Sequence, residues 1–290
     1  MSQDRLDASL DIDLLPAREV VRIIQEQDAL VAGAVSAESE RIAHAVEEIS
    51  QRMSHGGRLF YIGAGTSGRI AMLDASELPP TYGIDASLVQ VIMAGGERAY
   101  FAAAEGAEDD EEAAIAAVNA AVRSEDAVVG IAASGTTPFT VAGVRRANML
   151  GALTVGIASV AGSPLTKNVD IPIVPQTGPE VIMGSSRMKS GTAQKLILNA
   201  ISTGVMIRLG RVYSNLMTDM PATNEKLRNR AVRMVELAAG VTRPLAVQAV
   251  GDAEGNVKLA TVMARRKVPA DEARRMLEEK EGNLREVIGK

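Results

Sequence analysis

The chain has 290 residues, 47% hydrophobic and 23% charged, with a formal net charge of −5. That is room for one α/β domain with helical additions, and the negative balance argues against a non-specific binder of phosphate backbones. Aromatics at 2%, with no Trp, argue against base-stacking platforms, and the lack of cysteine removes disulfides, thiolate metal sites and cysteine nucleophiles.

Two histidines occur. His44 falls inside an amphipathic pattern and His55 in a Ser-His-Gly-Gly turn, so both read as surface residues and no metal site is expected. The first residues are polar and resemble no signal peptide, and no apolar run is long enough to cross a membrane. A cytoplasmic protein with no membrane or nucleic-acid partner is expected.

Residues 1–14 show little periodicity and read as an arm. Pro16 suits the first turn of a helix carrying Val20, Val21, Ile23, Ile24, Leu30 and Val31. Ile42, Ala45, Val46, Ile49 and Met53 share one face of a second helix, which Gly56-Gly57 ends. Strands and helices then alternate. The spacing predicts strands at 59–62, 88–93, 127–133, 153–158 and 171–174. Helices are predicted at 68–77, stopped by Pro79-Pro80, and at about 99–122 and 138–150. Runs such as Val128-Val-Gly-Ile131 are apolar throughout, as in strands buried on both faces, so a parallel, doubly wound sheet is expected. A long helix is predicted at 187–209. Beyond Asn224 the pattern is helical, its basic and acidic residues interspersed as on a solvated face.

The chain is organised around Arg58-Leu-Phe-Tyr-Ile-Gly-Ala-Gly-Thr-Ser-Gly-Arg69, an apolar strand entering a glycine-rich turn that opens a helix. Free N–H groups at a helix start favour an anion, and Gly65, Thr66 and Ser67 offer backbone and hydroxyl donors for phosphate. Gly63-x-Gly65-x-x-Gly68 also matches a dinucleotide fingerprint. That motif wants an acidic residue at the end of the second strand. Asp85 comes before that strand and Glu97 late after it, and a purely structural turn remains open. Two more hydroxyl loops, with Ser134 and Thr136 before Pro138 and with Ser185 and Ser186 before Arg187, open later helices. Each alone reads first as an ordinary helix cap. Together they suit a polyhydroxylated, phosphorylated ligand.

Two carboxylates stand out. Glu77, in the last turn of the helix that the prolines end, faces the negative end of the helix dipole, which favours its acid form. Glu108 continues the inward stripe of Phe101, Ala104, Ile115, Val118 and Val122 if the helix spans 99–122, where a carboxylate is costly unless paired or functional. Ordinary exposure of either side chain stays open. Glu180, before the third hydroxyl loop, is a further candidate.

Tyr61-Ile-Gly-Ala-Gly-Thr-Ser-Gly-Arg69, Leu73-Asp-Ala-Ser-Glu-Leu-Pro-Pro-Thr-Tyr-Gly83, Ala104-Glu-Gly-Ala-Glu-Asp109 and Gly130-Ile-Ala-Ala-Ser-Gly-Thr-Thr-Pro138 together resemble the N-acetylmuramic acid 6-phosphate etherase family. Gly178 to Lys195, Asn215-Leu-Met-Thr-Asp219 and Ala222 to Lys226 extend the likeness, which runs from about residue 10 and weakens after Arg230. Leu78 and Met183 stand where the family commonly has cysteine and threonine.

The resemblance implies a sugar isomerase (SIS) fold, a three-layer αβα sandwich on a five-stranded parallel sheet. N-terminal helices at 1–49, the SIS domain at 50–213 and a C-terminal helical region at 214–290 are expected. It further implies a homodimer with its active site near the interface, no metal or organic cofactor, and a lyase that splits the D-lactyl ether of N-acetylmuramic acid 6-phosphate. Products would be N-acetylglucosamine 6-phosphate and D-lactate, in the recycling of cell-wall sugars. The family's catalytic glutamates fall on Glu77 and Glu108. The substrate would be held by Gly65, Thr66, Ser67, Ser134, Thr136, Glu180, Ser185 and Ser186. A sugar-phosphate isomerase using Glu180 as base and a non-catalytic phosphosugar-binding regulator are the alternatives on the same fold.

Overall fold

Leu59-Phe-Tyr-Ile-Gly63 has no charged residue to place in water, and it forms a strand buried at every position. In the computed structural model, which describes residues 4–102, 104–222 and 224–289, it is the second strand of a five-stranded parallel sheet. Residues 1–3, 103, 223 and 290 fall in the expected arm, the expected 99–122 helix and the C-terminal region, outside the described residues.

In chain order the elements begin with α1 (Ala17–Asp28), α2 (Val31–Ser36), α3 (Ser39–Ser54), β1 (Leu59–Gly63), α4 (Gly65–Tyr82) and β2 (Val89–Met93). Next come α5 (Glu111–Ala121), β3 (Ala127–Ile131), α6 (Pro138–Met149), β4 (Leu153–Ile157), β5 (Ile171–Ile173) and α7 (Lys189–Arg208). Last are α8 (Glu225–Ala239), α9 (Arg243–Asp252), α10 (Val257–Arg266), α11 (Ala270–Glu278) and α12 (Leu284–Ile288). The sheet order is β2-β1-β3-β4-β5, so the chain turns from one side of β1 to the other after β2.

Contacts divide the chain into two units, residues up to 75 with 87–204, and residues 76–86 with those from 205 onward. In the first, Phe60, Ile62 and Val128 pack with Ala114, Val118 and Val144 of α5 and α6. Tyr61, between Phe60 and Ile62, points to the opposite face. There its hydroxyl donates to Asp74 Oδ2 of α4 (2.8 Å), while Asp74 Oδ1 accepts from Asn199 and Ser202 of α7 (2.6 and 3.0 Å). Helices thus cover both faces, as the sequence predicts. At the other end of β1, buried Asp126 accepts from the Arg58 guanidinium (2.8 and 3.3 Å) and from the backbone N–H groups of Arg58 and Arg123 (both 2.8 Å). In the second unit, Ala231 and Val235 of α8, Ala246 of α9, Ala260 and Val262 of α10, and Leu284 and Val287 of α12 form the core. Asn224, Asn256 and Asn283 cap its helices with their side chains.

Three boundaries differ from expectation. The helix after β1 does not stop at Pro79-Pro80 but runs to Tyr82, and the Gly83 N–H donates to the Pro79 carbonyl (2.9 Å). Leu78 and Tyr82, one turn apart, are both buried. Burial contributes about 1.5–3 kcal/mol for each of these two side chains, against about 3 kcal/mol for each of the two interior prolines. Packing offsets much of that cost, the helix passes both prolines, and Glu77 is not in the terminal turn.

The expected 99–122 helix is present only as α5. Before it lie single turns at Glu97–Tyr100 and Ala107–Asp109, Gly106 takes a φ of 73°, and the Asp110 side chain caps the helix through the Ala113 N–H. Glu108 is therefore exposed in a turn, not on an inward stripe, and Phe101 and Ala104 are exposed too. The third boundary is the α1 pattern, which breaks at Ala29 and Leu30 before α2.

Candidate active site at the carboxyl edge of the sheet

Strands β1 and β3 are adjacent and parallel, Gly63 paired with Ile131, so the loops that follow them leave the same edge of the sheet. This is where the strand order reverses, the crevice in which open α/β sheets bind ligands. The first loop carries Gly65, Thr66 and Ser67, and the second Ser134 and Thr136.

Gly65 adopts a φ of 52°, and a Cβ there would meet nothing within 4 Å, so the turn needs glycine for its backbone and leaves space beside it. Gly68 is required for packing: a Cβ would lie 2.1 Å from Met93 Sδ and 3.0 Å from the Gly63 carbonyl. That approach presses the start of α4 onto β1 and β2. The Gly68 N–H donates to the Ala64 carbonyl (3.2 Å), and the N–H groups before it, at Gly65, Thr66 and Ser67, point from the helix start where an anion is favoured. Ser67 is buried and Thr66 half-buried.

Gly65 and Glu108 line one cavity of about 240 Å³, with Ala64, Arg69, Met93 and Glu105 among its other walls. The cavity lies beyond the carboxyl ends of β1 and β2. It is smaller than the roughly 300–1,000 Å³ of drug-sized sites. Sequence reasoning missed Arg69 and Glu105 as wall residues. The one signal for Arg69 was its place directly after the glycine loop.

On the far side of β1, the Thr136 hydroxyl and N–H both donate to Ser134 Oγ (2.9 and 3.2 Å), which orders that loop before α6. The third loop approaches the first. The Ser186 carbonyl accepts the Gly191 N–H (3.0 Å), and a Cβ on Gly191 would stand 3.8 Å from Thr66 Cγ2. Ser185 and Ser186 are both half-buried.

Glu180 is 1% exposed, and its two oxygens accept the Lys189 and Ser190 N–H groups (2.9 and 3.0 Å). It caps α7 from outside the helix and holds the third loop in place. Glu77 is exposed on α4, within the stretch grouped with the second unit, and does not line this cavity. Among the described residues no group of three or more His, Cys, Asp or Glu could hold a metal ion, and no helix is long and apolar enough to cross a membrane.

Fold and loops define the class, a sugar isomerase domain: residues 98–203 match the SIS domain, and residues 41–148 match the glucokinase regulatory protein N-terminal SIS domain. A phosphoheptose isomerase from Francisella tularensis superposes with a TM-score of 0.52 at 16% identity, covering 67% of this chain and all of that one. The phosphoheptose isomerase of Neisseria gonorrhoeae gives 0.50 at 16% identity, covering 65% of this chain and 97% of its own. At such identities the likeness is one of fold.

The sequence relatives are more specific. N-acetylmuramic acid 6-phosphate etherase of Symbiobacterium thermophilum is 56% identical over 90% of this chain and 87% of its own. That of Clostridium beijerinckii is 47% identical over 99% and 95%. The chain belongs to the N-acetylmuramic acid 6-phosphate etherase family, a family of enzymes.

Proposed function

We propose that the chain is a lyase that removes D-lactate from N-acetylmuramic acid 6-phosphate and adds water, giving N-acetylglucosamine 6-phosphate. The observation that carries this reading is the cavity at the carboxyl edge of β1, where the anion-binding turn at Gly65 and the Glu108 carboxylate share a wall, in a chain of this family.

In the open-chain sugar the aldehyde acidifies the C2 proton, which the Glu108 carboxylate takes. The C3–O bond breaks, and lactate leaves with a proton from the Glu77 carboxyl. Water then adds at C3, giving its proton to Glu77 while Glu108 returns one to C2. Thr66, Ser67, Ser134, Thr136, Ser185 and Ser186 hold the phosphate and hydroxyls through hydroxyl and backbone donors. Glu180, with both oxygens already occupied by backbone N–H groups, supports this loop set from behind, which disfavours an isomerase that uses it as base. The assignment of Glu77 rests on the family motif around it. We further read the working domain as residues 50–213, between the N-terminal helices and the C-terminal region, in a cytoplasmic homodimer.

The test is release of D-lactate from N-acetylmuramic acid 6-phosphate by the purified chain. Removing a general acid or base costs roughly 10²–10⁴-fold, so Glu77→Gln and Glu108→Gln should each lower kcat by that order. Lactate release indifferent to both substitutions would overturn the assigned roles. Tight binding of the sugar phosphate without lactate would favour a regulator.

A further inference from the structure

We propose that Arg69 is a positioning residue for Glu108, the brace that sets the distance between the anion-binding turn and the carboxylate across the cavity. The inference rests on the etherase reading, in which Glu108 is the base.

Arg69 sits two residues beyond Ser67 on α4, in the turn that Gly68 presses against β1 and Met93. Its Nε donates to the Ala99 and Tyr100 carbonyls (3.1 and 3.3 Å), and its Nη2 donates to the Ala102 carbonyl (3.0 Å). These acceptors lie in the segment leading from β2 to Glu105 and Glu108. In the helix that the sequence predicts, the same carbonyls would bond to N–H groups four residues on. The guanidinium engages them instead, and the chain passes as a loop to the cavity wall.

Among the described residues the loop has one other support, the packing of its alanines, with Ala107 resting on the core beside α6. Ala99, Ala104 and Ala107 close around Gly95, where a Cβ would stand 2.6 Å from the Ala104 methyl and 3.3 Å from the other two. Of its two aromatic side chains Tyr100 is half-buried, while Phe101 is 95% exposed. Small side chains give weak packing, so the position of Glu108 depends on the charge-assisted bonds of Arg69 together with this contact. A lysine offers a compact ammonium in place of the planar fork that reaches three carbonyls from one anchor, so it should restore the brace only in part.

The experiment compares Arg69→Met and Arg69→Lys with the wild-type chain, using N-acetylmuramic acid 6-phosphate. A misplaced catalytic group costs about 100-fold in rate. Arg69→Met should therefore lose about that much kcat with KM changed less than about threefold, and Arg69→Lys should recover part of it. Hydrogen exchange supplies the second readout: amides of residues 99–102 and 104–109 should exchange faster in Arg69→Met, while those of β1 and β3 keep their protection. A raised KM at unchanged kcat would overturn the proposal in favour of direct phosphate contact, as would unchanged exchange in the loop. Should Arg69→Met fail to fold, Arg69→Lys and Gly95→Ala, which disturbs the loop's other support, carry the same expectation of lowered kcat at unchanged KM. If the wild-type chain itself releases no lactate, the etherase reading fails, and the exchange comparison still decides whether Arg69 holds the loop.

Discussion

Lys189 is 1% exposed, and its amine donates to Gln27 Oε1 of α1 (3.0 Å). Burial pushes its pKa below the ordinary 10.5, and the nearby Glu180 and Asp28 carboxylates only partly offset this. The unfolded chain then holds this proton more tightly than the folded chain does. Stability contributed by Lys189 accordingly rises with pH, from the folded-state pKa up to 10.5. Lys189→Met should lack that rise. The difference in urea midpoint between wild type and variant should shift toward the wild type as the pH is raised toward 10.5; a flat difference would mean the amine titrates as an exposed one. The same neighbourhood explains Glu180. Nothing in the spacing of Thr177-Gly-Pro-Glu-Val-Ile says that its carboxylate will turn back onto the first N–H groups of α7, because that contact closes a turn nine residues long.

Helix α4 shows how an element can outlast its own breaker. Proline removes a donor and disfavours helix in the residue before it, a rule that put the end at Glu77. The last turn persists because Leu78 and Tyr82 find a core to enter. Truncating one of these anchors tests that balance: Leu78→Ala should cost about 2–5 kcal/mol in chemical denaturation, and Leu78→Met less than about 1.5 kcal/mol. Equal small effects would show that the turn stands without its burial. The segment from Glu97 to Asp109 is the opposite case. Its alanines favour helix, yet glycines with positive φ at 95, 96 and 106 and the guanidinium of Arg69 break it into single turns. Intrinsic propensity amounts to a few tenths of a kcal/mol per residue, which such contacts exceed.

Across the molecule, the buried charges brace the scaffold. Arg58 with Asp126 ties the start of β1 to the turn before β3, and in the second unit Asp219 meets Lys258 (2.7 Å) and Arg211 (3.5 Å). Burial pushes the Asp219 pKa up and the Lys258 pKa down in spite of their contact, so desolvation outweighs the attraction each gains. Such a pair is costly to break and cheap to replace whole. Lys258→Met alone should therefore lose about 3–5 kcal/mol, and Asp219→Leu added to it should restore most of that. Thermal unfolding of the two variants decides it; an additive double mutant would mean that the partners do not couple.

The alternation of apolar runs and turn residues by itself determined the parallel sheet, its five strands to within a residue or two, and the hydroxyl-rich loops at its carboxyl edge. These follow from local patterning, since a strand buried on both faces is predominantly apolar and a tight turn before a helix needs glycine. Motif likeness added the family and marked Glu77 and Glu108. Only the tertiary structure decided that Glu108 reaches the cavity from a loop, that Arg69 and Glu105 share its wall, and that Glu180 is fully engaged by α7. Each of those outcomes depends on groups distant in sequence competing for the same backbone donors and acceptors. Such competition is settled by packing in three dimensions and leaves no period in the chain.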